Sequence, residues 1–99
     1  QVAAMMDTLR TYVKLAVDVR RGILAGGGEM HADCEGTLLE DGSRQEDVWG
    51  ADWNPQIHDV EFQSLINIRP GQNNPSMVVL DESRQARIRE IVERLLGKP

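Results

Sequence analysis

Residues 29–40 read Glu-Met-His-Ala-Asp-Cys-Glu-Gly-Thr-Leu-Leu-Glu, and their backbone conformation decides the fold of the chain. As a helix, this stretch would stack apolar residues at every fourth position, whereas as a strand it would place alternate residues on one face. Gly36 and Thr37 together disfavour a helix by about 1 kcal/mol or more relative to alanine. We therefore predict a strand over residues 29–40.

The dipeptide that follows, Asp41-Gly42, supports this strand. Asp-Gly between two apolar runs is the strongest short-range signal of a β-hairpin, and a hairpin needs a strand on each side of its turn. The second strand would run from about Arg44 to Trp53 and end at Asn54-Pro55.

Further strands and helices flank this predicted hairpin. Apolar and polar residues alternate from Val13 to Val19 and from Val60 to Arg69, which predicts two half-buried strands. Helical spacing predicts one helix over about residues 2–10 and another that begins after Asp81 as its N-cap and ends at Gly97. The buried stripe of this last helix would consist of Ile88, Ile91, Val92 and Leu95.

The segment before the last helix has no clear periodicity. Residues 70–76 contain nothing that would anchor a core, and they are predicted to form an exposed loop. Residues 77–80 are apolar, and they would form either one more short strand or an anchor under the last helix.

Together these elements predict an α+β fold. We expect an antiparallel meander of four to five strands, with an N-terminal and a C-terminal helix covering one face. The opposite face would be solvated, paired with a partner subunit, or part of a site. Its polar side chains would be Lys14, Asp18, Glu61, Gln63, Asn67 and Arg69.

Composition narrows the class of protein. A chain of 99 residues fits one domain, residues 1–99, because domains are most often about 100–150 residues long. The formal net charge of −5 and the pI near 4.9 argue against nucleic acid as a partner. The single cysteine, Cys34, excludes an intrachain disulfide, and the longest apolar run, residues 77–80, is too short to span a membrane. We expect a cytoplasmic protein.

Three segments stand out together in the sequence. They are Gly27-Gly28-Glu29-Met30-His31-Ala32-Asp33, Asp41-Gly42-Ser43-Arg44-Gln45-Glu46-Asp47-Val48-Trp49-Gly50 and Leu65-Ile66-Asn67-Ile68-Arg69-Pro70. In this order they resemble a family of small bacterial proteins of unknown function, over most of the chain. Members follow the Arg-Pro with a Gln-Gly-Asn-Arg-Ser-like loop, whereas residues 72–76 here lack that glycine and arginine. The resemblance implies no established activity.

His31, Asp33 and Glu35 form a His-x-Asp-x-Glu pattern within the predicted strand. On a strand these side chains would share one face and would be able to bind a divalent metal ion with positions open for water. On a helix, His31 and Glu35 would remain neighbours but Asp33 would point away. The alternative is that the three polar residues mark a sheet face that meets water.

A second candidate site lies at the end of the predicted strand 60–69. Arg69 would bind a carboxylate or phosphate there through its planar guanidinium group. The alternative is a structural ion pair of Arg69 with Glu61, Asp18 or an acidic residue of the neighbouring strand. The candidate ligand-binding residues are Asn67, Arg69, Gln72, Asn74 and Gln45.

These observations favour a non-catalytic module that binds a small molecule or a protein and acts as a homodimer, without a cofactor. The dimer would form through the predicted hairpin, which carries Trp49 and Trp53, or through the uncovered sheet face. The alternative is a metal-dependent hydrolase. In that case His31, Asp33 and Glu35 would bind the divalent metal ion and Arg69 would hold the anionic group of the substrate.

Overall fold

The computed structural model describes residues 12–97, and within this range the chain has the predicted α+β fold. A four-stranded antiparallel sheet has the order β2-β1-β3-β4. The elements are β1 (Val13–Asp18), β2 (Ile23–Gly26), α1 (His31–Glu40), β3 (Val48–Asn54), β4 (Asp59–Glu61) and α2 (Glu82–Leu96). The order differs from that of a meander, because β1 lies between β2 and β3. The predicted helix over residues 2–10 lies outside the described residues.

Alternation along β1 separates two apolar clusters on opposite faces of the sheet. Leu15 and Val17 belong to the first cluster and Ala16 to the second. Helix α2 packs on the first face and α1 on the second. The first cluster also contains Trp49, Ala51, Trp53, Val60, Val79, Ile88, Ile91 and Val92, and the second contains Cys34, Leu38 and Val48. The face that was expected to be open is therefore covered by α1.

The predicted strand over residues 29–40 is wrong, because the chain forms α1 there. The carboxylate of Asp33 accepts a hydrogen bond of 3.0 Å from the backbone N–H of Met30 and so satisfies a free donor at the start of the helix. Cys34 and Leu38, one turn apart, are buried against the sheet. Burial of this stripe outweighs the weak helix propensity of the glycine and threonine within α1, since tertiary packing overrides propensity.

The predicted hairpin turn at Asp41-Gly42 is also wrong, because this dipeptide ends α1. The N–H groups of Asp41 and Ser43 donate to the carbonyl oxygen of Leu38 at 3.1 and 2.9 Å. Gly42 has a φ of +100°, which glycine adopts at a helix end as readily as in a hairpin. The next strand, β3, consequently begins at Val48 instead of residue 44.

The alternating sequence from Val60 to Arg69 forms a strand only up to Glu61. Residues Leu65–Asn67 form a 3₁₀ turn, and the side chain of Asn67 replaces a strand at the edge of β3. Its Oδ1 accepts from the N–H of Gly50 at 2.8 Å, and its Nδ2 donates to the carbonyl oxygen of Gly50 at 3.0 Å. A Cβ atom at Gly50 would lie 2.5 Å from the Cβ of Ser64, so this approach requires glycine.

The predicted loop at residues 70–76 is built around a buried side chain. Asn74 is 0% exposed. Its Oδ1 accepts from the N–H of Leu80 at 2.9 Å, and its Nδ2 donates to three carbonyl oxygens at 2.8–3.0 Å, those of Asn67, Ser76 and Val78. Residues 77–80 anchor α2 through the buried Val79.

The last helix is confirmed as α2. The carboxylate of Asp81 accepts from the N–H of Ser83 at 2.9 Å, as an N-cap does. Of the predicted stripe, Ile88, Ile91 and Val92 are buried, whereas Leu95 is exposed.

Asp18 closes the turn between β1 and β2 as a fully buried carboxylate. It accepts hydrogen bonds from the N–H groups of Arg20 and Arg21 at 2.9 and 2.8 Å and from the hydroxyl of Ser43 at 2.6 Å. Burial raises the pKa of Asp18, but these hydrogen bonds and the charge of Arg20 outweigh burial and hold the pKa below its ordinary value. The ionised form thus stabilises the fold.

We expect the substitution Asp18→Asn to lower the free energy of unfolding at pH 7 by about 2 kcal/mol, since it removes hydrogen bonds to a charged acceptor. Because the pKa of Asp18 is lower in the folded state, its contribution is complete above the unfolded value of about 3.9 and is lost as the pH falls through the folded value. Urea titrations at pH 7 and near pH 2 test this. The exposed Asp41→Asn is the control, and a difference between Asp18→Asn and native protein that did not change with pH would contradict the account.

Candidate functional site

Helix α1 directs the three residues of the His-x-Asp-x-Glu pattern to different partners. His31 contacts Asp52 of β3, Asp33 caps its own helix, and Glu35 pairs with Arg69 at 3.3 Å. In the described part of the chain, no group of three or more His, Cys, Asp or Glu side chains is placed to hold a metal ion. The metal site predicted from the sequence required a strand over residues 29–40. The chain forms α1 there, so His31, Asp33 and Glu35 have separate partners.

Arg69 is held inside the protein by all of its N–H donors. A guanidinium group has five N–H donors, and each one here has an acceptor within the chain. The acceptors are the carbonyl oxygens of Ile66 (2.9 Å), Gln45 (2.5 Å) and Val48, the side-chain oxygen of Gln72 (3.4 Å) and the carboxylate of Glu35 (3.3 Å). An anionic ligand would have to displace one of these bonds.

Trp49 packs against two guanidinium groups. The central carbon of Arg69 lies 4.5 Å from the ring centroid, and that of Arg84 lies 4.2 Å from it. Burial lowers the pKa of Arg69, and Arg84 lowers it further, while Glu35 opposes both. Arg69 thus ties the segment after β4 to the core and to α1. It forms a structural ion pair, but its acidic partner is Glu35 of α1 and does not lie on a neighbouring strand.

The other candidate ligand-binding residues divide into two groups. Asn67 and Asn74 are fully buried, with the backbone partners given above. Gln45 and Gln72 lie at the rim of a polar cleft of about 440 Å³, which Glu35 and Arg69 also line. The structure brings these side chains together around the segment at residues 65–74.

A second, mainly apolar cavity lies between α1, β1 and the segment at residues 63–77. Its volume is about 390 Å³. Apolar side chains at its mouth are strongly exposed, with Leu65 at 66% and Met30 at 57%. The lining residues are Lys14, Met30, His31, Ala32, Gln63, Ser64, Leu65, Ile66 and Met77.

His31 is fixed in this cavity wall through one of its two ring nitrogens. Its Nε2 lies 2.7 Å from Oδ1 of Asp52 and 3.2 Å from the carbonyl oxygen of Ala51. Both partners are acceptors, so Nε2 carries a proton, and in the neutral ring Nδ1 holds a lone pair. Within residues 12–97, Nδ1 has no hydrogen-bond partner, which leaves it available to a ligand.

Lys14 brings a second unpaired polar group to the cavity. It lies opposite Asp52 in the register of β1 and β3. Among the described residues, its ammonium group forms no ion pair within 4.0 Å and no hydrogen bond. The cavity lining thus includes two residues, His31 and Lys14, each with a polar group that has no partner among the described residues.

Reasoning from the sequence selected His31 and placed Lys14 on the polar sheet face, but missed Asp52 and the apolar rim. One available signal was Asp52 itself, a charged residue within the otherwise apolar and small stretch of β3. The apolar rim was missed because Leu65 was assigned to a strand over residues 60–69, whereas it lies in the 3₁₀ turn Leu65–Asn67.

These features define a small α+β domain with an apolar cavity beside a carboxylate–imidazole pair. The family described as "Protein of unknown function (DUF5674)" matches residues 1–95, and the chain belongs to this family. This confirms the resemblance seen in the sequence. No curated protein and no solved structure matches the chain.

Across residues 12–97, the helices are too short or too polar to cross a membrane.

We expect Arg69→Lys to lower the free energy of unfolding by about 2–4 kcal/mol, measured by urea denaturation at pH 7. An ammonium group has three donors without planar geometry, so it cannot satisfy the five acceptors or stack on Trp49. The control is Arg20→Lys, at a side chain that is 53% exposed and holds one ion pair, where we expect a change below about 0.5 kcal/mol. Equal effects of both substitutions would refute the structural role of Arg69.

Proposed function

We propose that this domain is a ligand-binding module whose ligand is a small molecule with an apolar body. The observation that carries the proposal is the apolar cavity lined by His31 and Lys14, each with a polar group that has no partner in the described part of the chain. Its volume of about 390 Å³ falls within the range of about 300–1,000 Å³ that is usual for small-molecule sites. Apolar walls supply affinity, and the few polar groups fix the orientation of the ligand.

The charges around the cavity favour a neutral polar group on this ligand. The positive charge of Lys14 is opposed by Asp52, its cross-strand neighbour. Glu61 lies opposite Asp52 on the other side, in β4, and adds a second negative charge. A carboxylate on the ligand would meet this excess of negative charge, whereas an alcohol, amide or ester would not. A neutral group can donate to Nδ1 of His31 or accept from Lys14.

Binding of 1-octanol tests this proposal, because the molecule combines an apolar chain with a hydroxyl group. We expect saturable NMR shift changes at Ala32, Leu65, Ile66 and Met77, and weaker binding of octanoate than of 1-octanol. Ala32→Trp would fill the cavity and weaken binding at least about tenfold, which is the loss of about 1.4 kcal/mol of binding free energy.

The matched control is Ala86→Trp, an exposed alanine on α2 remote from the cavity lining. It should bind 1-octanol as the native protein does. Shift changes that do not saturate, or that are equally reduced by both tryptophan substitutions, would refute the binding proposal.

We also propose that two copies of the domain associate. The sequence predicted that this contact would form through a hairpin or through an open sheet face. Part of the predicted hairpin is instead helix α1, and α1 covers the sheet face that was expected to be open. Among the described residues, β2 is an edge strand that pairs only with β1, and a second copy would extend the sheet there.

Sedimentation equilibrium measures this association. We expect a dimer that Leu24→Pro dissociates, because proline in β2 removes a backbone donor. A monomer at every accessible concentration would contradict the dimer without affecting the cavity.

A further inference from the structure

The pair formed by His31 and Asp52 has the geometry of an acid–base centre. The carboxylate accepts the Nε2 proton at 2.7 Å and so fixes the ring orientation and its tautomer. The second acceptor, the carbonyl oxygen of Ala51, restrains the ring further at 3.2 Å. Nδ1 is left as the basic atom, on a ring that lines an apolar cavity. A base oriented by a carboxylate is an arrangement that general-base catalysis often uses.

We propose that the cavity hydrolyses neutral esters of apolar acids, with His31 as the general base. This inference rests on the proposed binding cavity and assigns a reaction to it. The substrate would place its apolar chain against Leu65, Ile66 and Met77. Its carbonyl oxygen would accept a hydrogen bond from the ammonium group of Lys14, whose charge stabilises the oxyanion that develops.

Water is the nucleophile that the geometry assigns. Ser64 also lines the cavity, but its hydroxyl oxygen accepts from the N–H of Ile66 at 3.2 Å. Within the described residues, no hydrogen bond joins Ser64 to His31, so the serine is not activated by the base.

The reaction balances without any co-reactant other than water. Nδ1 of His31 takes a proton from water as the water oxygen bonds to the carbonyl carbon, and the carbonyl electron pair moves to the oxygen beside Lys14. The carbonyl then re-forms and the bond to the alcohol oxygen breaks. The proton on Nδ1 passes to this departing oxygen, which yields an acid and an alcohol. The product acid ionises close to the carboxylates of Asp52 and Glu61, and repulsion between these negative charges favours its release.

The charges that face His31 come from several elements. Asp52 on β3 contacts it directly, and Lys14 on β1 and Glu61 on β4 are the cross-strand neighbours of Asp52. On α1 itself, Glu35 is paired with Arg69. The segment that supplies the remaining wall, residues 63–66 and Met77, carries no charge.

Hydrolysis of 4-nitrophenyl hexanoate and ethyl hexanoate tests the inference. We expect turnover of both esters with competitive inhibition by 1-octanol. His31→Gln should lower kcat/KM by about 10²–10⁴-fold, the usual contribution of a general base. Lys14→Met should lower kcat more than it changes KM, since its hydrogen bond strengthens as the oxyanion forms. His58→Gln is the matched control, because His58 is the other histidine of the chain and does not line the cavity.

Asp52 would be a positioning residue, and the split between kcat and KM distinguishes this role from a structural one. Asp52→Asn should lower kcat with little change in KM, because the ring of His31 loses the carboxylate acceptor that fixes its tautomer, and Asp52→Glu should restore part of the rate. A variant that is merely destabilised, but folded by circular dichroism, would keep the kcat of the native protein.

Two outcomes overturn the inference. One is a rate no higher in native protein than in His31→Gln, both shown to be folded by circular dichroism, and the other is hydrolysis that 1-octanol does not inhibit. If 1-octanol still binds in the first case, the binding module stands and only the hydrolysis fails. If 1-octanol does not bind to native protein, the proposed function fails with it.

Discussion

The pairing of the Asn67 side chain with Gly50 is the contact on which the rest of the structure depends. Strand β4 ends at Glu61, and beyond it the edge of β3 would expose unpaired backbone groups. The amide of Asn67 supplies one donor and one acceptor to Gly50, and Arg69 binds the carbonyl oxygen of Val48 next along the strand. Two side chains thus continue the ladder that a fourth full strand would have formed.

The pairing of the Asn67 side chain with Gly50 also shapes the apolar cavity. Asn67 holds the 3₁₀ turn at Leu65–Asn67 against the sheet, and Leu65 and Ile66 of that turn form a wall shared by the apolar cavity and the polar cleft. The opposite wall is α1. The polar residues between them therefore fall into two classes. The donors of Arg69 are all used within the protein, whereas Nδ1 of His31 and the ammonium group of Lys14 have no partner among residues 12–97.

The sequence predicts the elements whose periodicity agrees with their packing. Strand β1 and helix α2 are of this kind, with Asp81 as a true N-cap. The sequence misleads where side chains, and not a backbone strand, pair with the sheet. The alternation up to Arg69 is typical of a strand, but Asn67 and Arg69 pair with the edge of β3 through their side chains. His31 is identifiable as a candidate from sequence, but its pairing with Asp52 is not, because their proximity depends on how α1 packs across β3.

Amide hydrogen exchange at Gly50 tests the central contact most directly. If Asn67 completes the edge of β3, the N–H of Gly50 will be protected as strongly as the N–H groups of β1 in the middle of the sheet, and will exchange only on global unfolding. Exchange of Gly50 at the rate of an exposed loop amide, with β1 still protected, would contradict the account.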